Sequence, residues 1–283
     1  MYYDFFDYKY NIDYNGEDYF GVMHLVYMLI CLIVIPLLSS HLRKKDKETI
    51  DKILRYSAVL LTIEEIAKIT WESYWDITTG HGFNAAGILP LETCSIFLYC
   101  LWIASFGKGR VRDGALTWMS SIGIVGGISY ILFTNVLKWY PFFSYGAFHS
   151  MIFHFMMVFV GVLIVWSGYY RFELPDIING FIPHLMMSTI VVPLDYMFDW
   201  DYMLLHYAGG VPVIETAGQI LAERDMPFIT TMIMMSVYFV AGSMFTLLNI
   251  HIQRKLFPYQ DAKNSALVSR NSHSRWESAG YKL

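Results

Sequence analysis

The residues best suited to chemistry in this chain are a cysteine, two histidines and a set of acids, all in or beside strongly apolar stretches. Cys94 follows Leu89-Pro90-Leu91-Glu92-Thr93. Proline is favoured at the first position of a helix, where its missing N–H costs nothing. On that reading Cys94 falls about one turn inside a helix, where the positive end of the dipole favours a thiolate. A thiolate both attacks and leaves well. The plain alternative is a small buried hydrophobe. Cys31 and Cys100 also sit in apolar runs, and an odd number of cysteines in such runs does not make a disulfide framework.

A cysteine nucleophile needs a base, and a third group usually orients the base. His149 and His154 lie in one later apolar run, Asp195 and Asp199 near the end of another, and Asp201 just beyond it. His154 is the deeper histidine, where an unpaired imidazole would be costly. His149 reads equally as a solvated or capping group at an interface. Asp195 and Asp199 are four apart, so they share a helix face and either join the site or meet water at the helix end. A second chemical set lies earlier. Glu64, Lys68 and Glu72 are each four apart and stack as acid-base-acid on one helix face, with Glu65 beside them. No tight metal-ligand spacing occurs around His149, His154 or His206, so no metal and no cofactor is expected.

The elements that must position these groups are membrane helices. Of 283 residues 55% are hydrophobic and 16% charged, with mean hydropathy +0.41; soluble domains carry about 25% charged residues. The chain reads as an all-α, multi-pass integral membrane protein. A net charge of -4 and the lack of a nucleic-acid motif exclude a nucleic-acid partner. No cleavable signal peptide is evident, because the first residues are acidic and tyrosine-rich. Apolar runs at roughly 20–40, 50–74, 88–105, 115–136, 147–168, 179–199 and 227–250 predict seven transmembrane helices. Gly123, Gly126 and Gly127 mark close helix packing in the fourth. The run at 50–74 carries the charges, which at membrane depth must face a bundle interior or a wet cavity; the alternative is a helix lying on the surface.

Three domains follow: an extracytoplasmic segment 1–19, a seven-helix membrane domain 20–252, and a cytoplasmic tail 253–283 that is polar, basic and expected to be disordered. With the basic loop near 41–47 inside and spans alternating, about 15 Lys and Arg fall inside and 3 outside, which sets the amino terminus outside and the carboxyl terminus inside. That topology brings Cys94, both histidines, Asp195 and Asp199 to one depth toward the outer leaflet.

Three short segments carry a resemblance. Leu89-Pro90-Leu91-Glu92-Thr93-Cys94 is similar to the Leu-Pro-Leu-x-x-Cys motif that opens a helix in the YwaF-like integral membrane proteins. His154, within Ile152-Phe153-His154-Phe155-Met156, resembles their single histidine at the start of a later helix. Asp199-Trp200-Asp201-Tyr202-Met203 resembles their Gly-Thr-Asn-Tyr-Met segment after the sixth helix, with Asp199 where glycine and Asp201 where asparagine is usual. Glu92 stands where histidine or glutamine is common. An animal relative of that family transfers polyunsaturated acyl chains onto lyso ether phospholipids. The resemblance therefore implies Cys94 as nucleophile forming a thioester, His154 as base, and phospholipids or lysophospholipids as substrates within the bilayer. His149, Asp195, Asp199, Asp201, Glu64 and Lys68 would support the substrate. Water as acceptor would make the same site a hydrolase. Two other classes fit the residues alone: an ion- or proton-coupled transporter built on Glu64 and Lys68, and a sensor or scaffold without chemistry. Donor, acceptor and oligomeric state are not encoded in any motif here, and neither is the choice between a bacterial plasma membrane and a eukaryotic endomembrane.

Overall fold

The computed structural model describes residues 3–9, 12, 14–209, 212–224 and 226–258. Among them every regular element is helical: α1 Val22–Leu42, α2 Lys47–Thr78, α3 Ala85–Ile88, α4 Ser95–Phe106, α5 Gly109–Ser120, α6 Ile122–Phe133, α7 Tyr145–Ser167, α8 Asp176–Asn179, α9 Ile182–Phe198, α10 Pro212–Glu223 and α11 Pro227–Leu256. Single 3-10 turns occur at Val136–Lys138 and Tyr202–Leu204.

Five stretches are long and apolar enough to cross a bilayer: Val22–Leu42, Gly109–Lys138, Tyr145–Ser167, Asp176–Phe198 and Pro227–Leu256. The protein is thus a multi-pass membrane protein with about five candidate spans. The other two expected runs also hold helices, but each falls short for its own reason. Helix α2 has 32 residues and carries Glu64, Glu65, Lys68 and Glu72 in its middle. Helix α4 has only 12, a rise of about 18 Å at 1.5 Å per residue against about 30 Å of hydrocarbon.

Helix α4 is short because it does not begin at Pro90. A residue before proline is pushed out of the helical region, and Leu89 is extended, with φ -68° and ψ 138°. The chain then bends through turn bonds from Leu91 N–H to the Leu89 carbonyl and from Ser95 N–H to the Glu92 carbonyl. Helical bonding starts only at Ser95. Cys94 is the N-cap of α4 and not a residue one turn inside it, as the proline had suggested. Irregular backbone of this kind at membrane depth is tolerated where it is buried in protein or lines a cavity.

The fourth expected span is a broken one. Helices α5 and α6 meet at Ser121, whose φ of -125° and ψ of -89° interrupt the helix and whose hydroxyl donates to the Thr117 carbonyl at 2.6 Å. The basic residues Arg110 and Arg112 lie in the first turn of α5, which is helical from Gly109 onward. Arg112 donates through Nε to the Ala104 carbonyl at 2.9 Å and sits 3.3 Å from Asp51, and it hydrogen-bonds Tyr169. It fastens one end of α2, α4 and α5 to the residue just past α7.

Helix α7 is the centre of the bundle, apolar on all sides as a buried helix must be. Gly161 lets it approach α5 and α6 closely; a Cβ there would stand 2.6 Å from the Met119 carbonyl oxygen. Tyr27 on α1 donates to the Met151 carbonyl at 2.8 Å. Phe20 N–H donates to His24 Nδ1 at 2.9 Å, so the proton is on Nε2, which donates to the Ile131 carbonyl at 2.9 Å. Helix α11 is tied in by Asn249, donating to the Ser120 carbonyl at 2.7 Å, and by Gln253, donating to the Tyr170 carbonyl at 2.8 Å. It continues to Leu256, and the tail expected to be disordered lies, from residue 259 on, outside the described residues.

Candidate active site

A cavity of about 200 Å³ opens between α2, α7 and the irregular 89–94 stretch. Cys94 and His154 both line it, together with Lys68, His149, Glu65, Glu72 and Glu92. Ligand pockets for whole drug-sized molecules run from about 300 to 1,000 Å³. This one has room for the reacting end of a lipid, not for its chains.

His154 is set by its own helix. Its Nδ1 lies 2.7 Å from the carbonyl of Ser150, one turn earlier. A carbonyl only accepts, so Nδ1 carries the proton and Nε2 keeps its lone pair. The imidazole lies flat on the Tyr130 ring, with centroids 3.5 Å apart and planes 6° apart. The Tyr130 and Ser150 hydroxyls are hydrogen-bonded to each other. The ring is thus held in plane from α6 and in rotation from α7. Cys94 is half-buried and has no disulfide partner. Its position at the start of α4 leaves the first N–H groups of that helix nearby, the end of a helix that favours negative charge.

The charged face of α2 turns toward this cavity. The column differs from the expected one by one residue. Lys68 Nζ is 3.4 Å from Glu65 and 3.4 Å from Glu72, and the other Glu65 oxygen is 3.4 Å from His149 Nε2. Glu64 does not line the cavity; its backbone carbonyl accepts from the Tyr145 hydroxyl at 3.5 Å. Spacings of three and four both bring helix residues together, so spacing alone could not choose between the adjacent glutamates.

The three aspartates do not join the cavity lining; they build the loop after α9. Asp195 is fully buried, and its Oδ1 accepts from Tyr202 N–H at 2.9 Å. Asp199 caps α9 in the left-handed region, φ 58°, and accepts from the Tyr207 hydroxyl. That bond pushes the Tyr207 hydroxyl up to about 12, so the phenol keeps its proton to donate at neutral pH. Asp201 accepts three backbone N–H groups, from His206 at 2.9 Å, Tyr207 at 2.8 Å and Gly209 at 2.7 Å. Met203 and Leu204 also have positive φ, 55° and 59°, a conformation that costs about 1–3 kcal/mol per residue and needs such anchoring.

The anchored loop then holds the cysteine segment. Met203 N–H donates to Glu92 Oε2 at 3.2 Å, and the Met203 carbonyl accepts from the Tyr238 hydroxyl at 3.0 Å. Thr93 donates to the same Tyr238 oxygen at 3.3 Å. Two segments about 110 residues apart in sequence are therefore one structural unit. Sequence reasoning did not single out Glu92 as a site residue; its position two before Cys94 was the available signal. Asp201→Ala orphans three N–H donors at about 1–3 kcal/mol each where water does not replace the carboxylate. Hydrogen exchange in a nanodisc is expected to show the amides of His206, Tyr207 and Gly209 opening at least tenfold faster, and unchanged protection would refute the anchoring role.

The amino-terminal segment lies against the aromatic side of the cavity. Trp71 Nε1 donates to the Phe6 carbonyl at 2.8 Å and Tyr145 N–H to the Phe5 carbonyl at 2.7 Å. Tyr8 is buried edge-on to Trp71, 5.2 Å between centroids. Trp71 and Tyr140 line the cavity themselves.

Among known proteins, the family model described as the TMEM164 family matches residues 19–241, which include Cys94, His154 and the 199–203 segment. No curated protein and no solved structure matches this chain.

Proposed function

This chain belongs to the TMEM164 family, and from that premise we propose that it is an integral membrane lipid acyltransferase with Cys94 as nucleophile and His154 as base. The family is linked to ether-lipid acyltransferase activity, and the proposal takes phospholipids as donors and lysophospholipids as acceptors. It also takes α2 and α4 as crossing the membrane, giving seven passes with the amino end outside. The observation that carries it is the single cavity shared by Cys94 and a histidine whose Nε2 is left free.

In the first half-reaction the Cys94 thiol gives its proton to His154 Nε2 as Sγ bonds to the ester carbonyl carbon of the donor. The ester C–O bond breaks, and the departing lyso oxygen takes the proton from Nε2. A thioester remains on Cys94. In the second half an acceptor hydroxyl attacks the thioester carbon, the C–S bond breaks, and the hydroxyl proton ends on the Cys94 sulfur, restoring the thiol. Water in place of the hydroxyl gives hydrolysis by the same steps. General-base assistance of this kind is worth about 10²–10⁴-fold in rate.

The test is intact-mass analysis of the wild-type protein reconstituted with donor phospholipids. An adduct of acyl-chain mass, removed by neutral hydroxylamine, is the expected result. A protein that stays unmodified with every donor rules the reading out. The Glu65–Lys68–Glu72 column in the same cavity favours a second reading, ion- or proton-coupled transport. On that reading Lys68→Met stops function and Cys94→Ala does not.

A further inference from the structure

The cavity holds several groups that the two-residue chemistry leaves unused; Glu65, Lys68, Glu72 and His149 are paired with one another, and Glu92 is in none of those pairs. Glu92 lines it, two residues before Cys94 on the irregular stretch. One carboxylate oxygen is pinned by Met203 N–H at 3.2 Å. No hydrogen bond to the other oxygen occurs among the described residues, and Glu92 is an exposed residue of the cavity lining. A carboxylate with one oxygen fixed by a backbone donor and the second open toward a reacting centre is the arrangement a general base needs. His154 reaches the cavity from α7 and Glu92 from the 89–94 stretch, so the two come from different elements.

We propose that Glu92 is the catalytic base for the second half-reaction, receiving the proton of the acceptor hydroxyl, with His154 serving the thiol and the departing lyso oxygen. This rests on the Cys94 thioester reading. As the acceptor oxygen bonds to the thioester carbon, its proton passes to the free oxygen of Glu92. The C–S bond breaks and Cys94 leaves as thiolate. The proton on Glu92 then returns to that thiolate across the cavity they share, which resets both groups without any further reactant. The assignment also gives the Met203 contact a purpose: the strained, aspartate-anchored loop aims the carboxylate.

Glu92→Gln keeps the anchor, since the amide oxygen accepts from Met203 N–H as the carboxylate does, and removes only the base. The full-length wild type and variant are reconstituted with a phospholipid carrying a labelled acyl chain, then given a lysophospholipid acceptor. The variant is expected to form thioester at the wild-type rate and to transfer it at least 100-fold more slowly, so that labelled thioester accumulates. Hydroxylamine, which attacks as a neutral amine and needs no carboxylate base, is expected to discharge both proteins equally. Equal transfer by wild type and variant overturns the role of Glu92 and leaves the thioester reading intact. Failure of the variant to form thioester, with wild-type melting retained, moves Glu92 to the first half-reaction and also overturns it. Absence of thioester in the wild type removes the Cys94 reading itself and this inference with it.

Discussion

Cys94→Ala protein, reconstituted with donor and acceptor lipids, is expected to show no transfer above background and no hydroxylamine-sensitive adduct. Loss of a nucleophile that acts in concert with its base removes on the order of 10⁶-fold in turnover, below any practical detection limit. The effect is on chemistry and not on folding. Cys94 is half-buried at the mouth of α4, and truncating it removes one sulfur from a cavity wall, not from the packed centre of the bundle. Cys94→Ser sharpens the test. Serine is a favoured N-cap, so α4 starts as before, yet its hydroxyl is a much poorer nucleophile than a thiolate in this setting. Melting should match the wild type for both variants. Transfer that survives in Cys94→Ala excludes the cysteine as the acyl carrier.

His154→Asn is expected to slow thioester formation by about 10²–10⁴-fold, the usual worth of a positioned general base. Asparagine is chosen because its side-chain NH₂ reaches roughly where Nδ1–H lies, so the bond to the Ser150 carbonyl can persist while the Nε2 lone pair disappears. The adduct formed over a long incubation should have the same mass as in wild type, only later. The stack on Tyr130 supplies the internal comparison. Tyr130→Phe keeps the ring face and should cost less than Tyr130→Leu, which leaves the imidazole free to swing. Stopped-time mass analysis of the four proteins gives this order directly. His154→Asn acylating as fast as wild type rejects the base assignment.

The helical, membrane-embedded character of the chain was legible from hydropathy, because an apolar helix satisfies its own backbone and needs no distant partner. All seven apolar runs hold helix, though the third starts only at Ser95 and the fourth is broken into α5 and α6, and five stretches are long and apolar enough to cross a bilayer. What composition could not reveal is where a helix fails inside an apolar run. Pro90 can open a helix or force its predecessor to extend, and Leu89 took the second course. The break at Ser121 falls in a Ser-Ser pair with no proline near it, so only the packing, with Trp118 and Met119 fully buried just before it, marks the place. The site was half legible. Cys94 and His154 were singled out from residue type and from a resemblance, and both line the cavity. Glu65 was passed over for Glu64 because adjacent helical residues differ by about 100° and only tertiary structure says which one faces inward. The aspartates were seen as acids at the right depth, but the positive φ angles of Asp199, Met203 and Leu204 have no glycine to announce them. Those angles turn the loop back on itself and set its carboxylates to holding backbone.

The seating of Phe5, Phe6 and Tyr8 against Trp71, Tyr140 and Tyr145 fixes an order of biosynthesis. These residues are translated before every aromatic they rest on, the last of which stands at the start of α7. This segment must therefore wait, undocked, until the central helix has been made, so residues translated before it are among the last to find their native contacts.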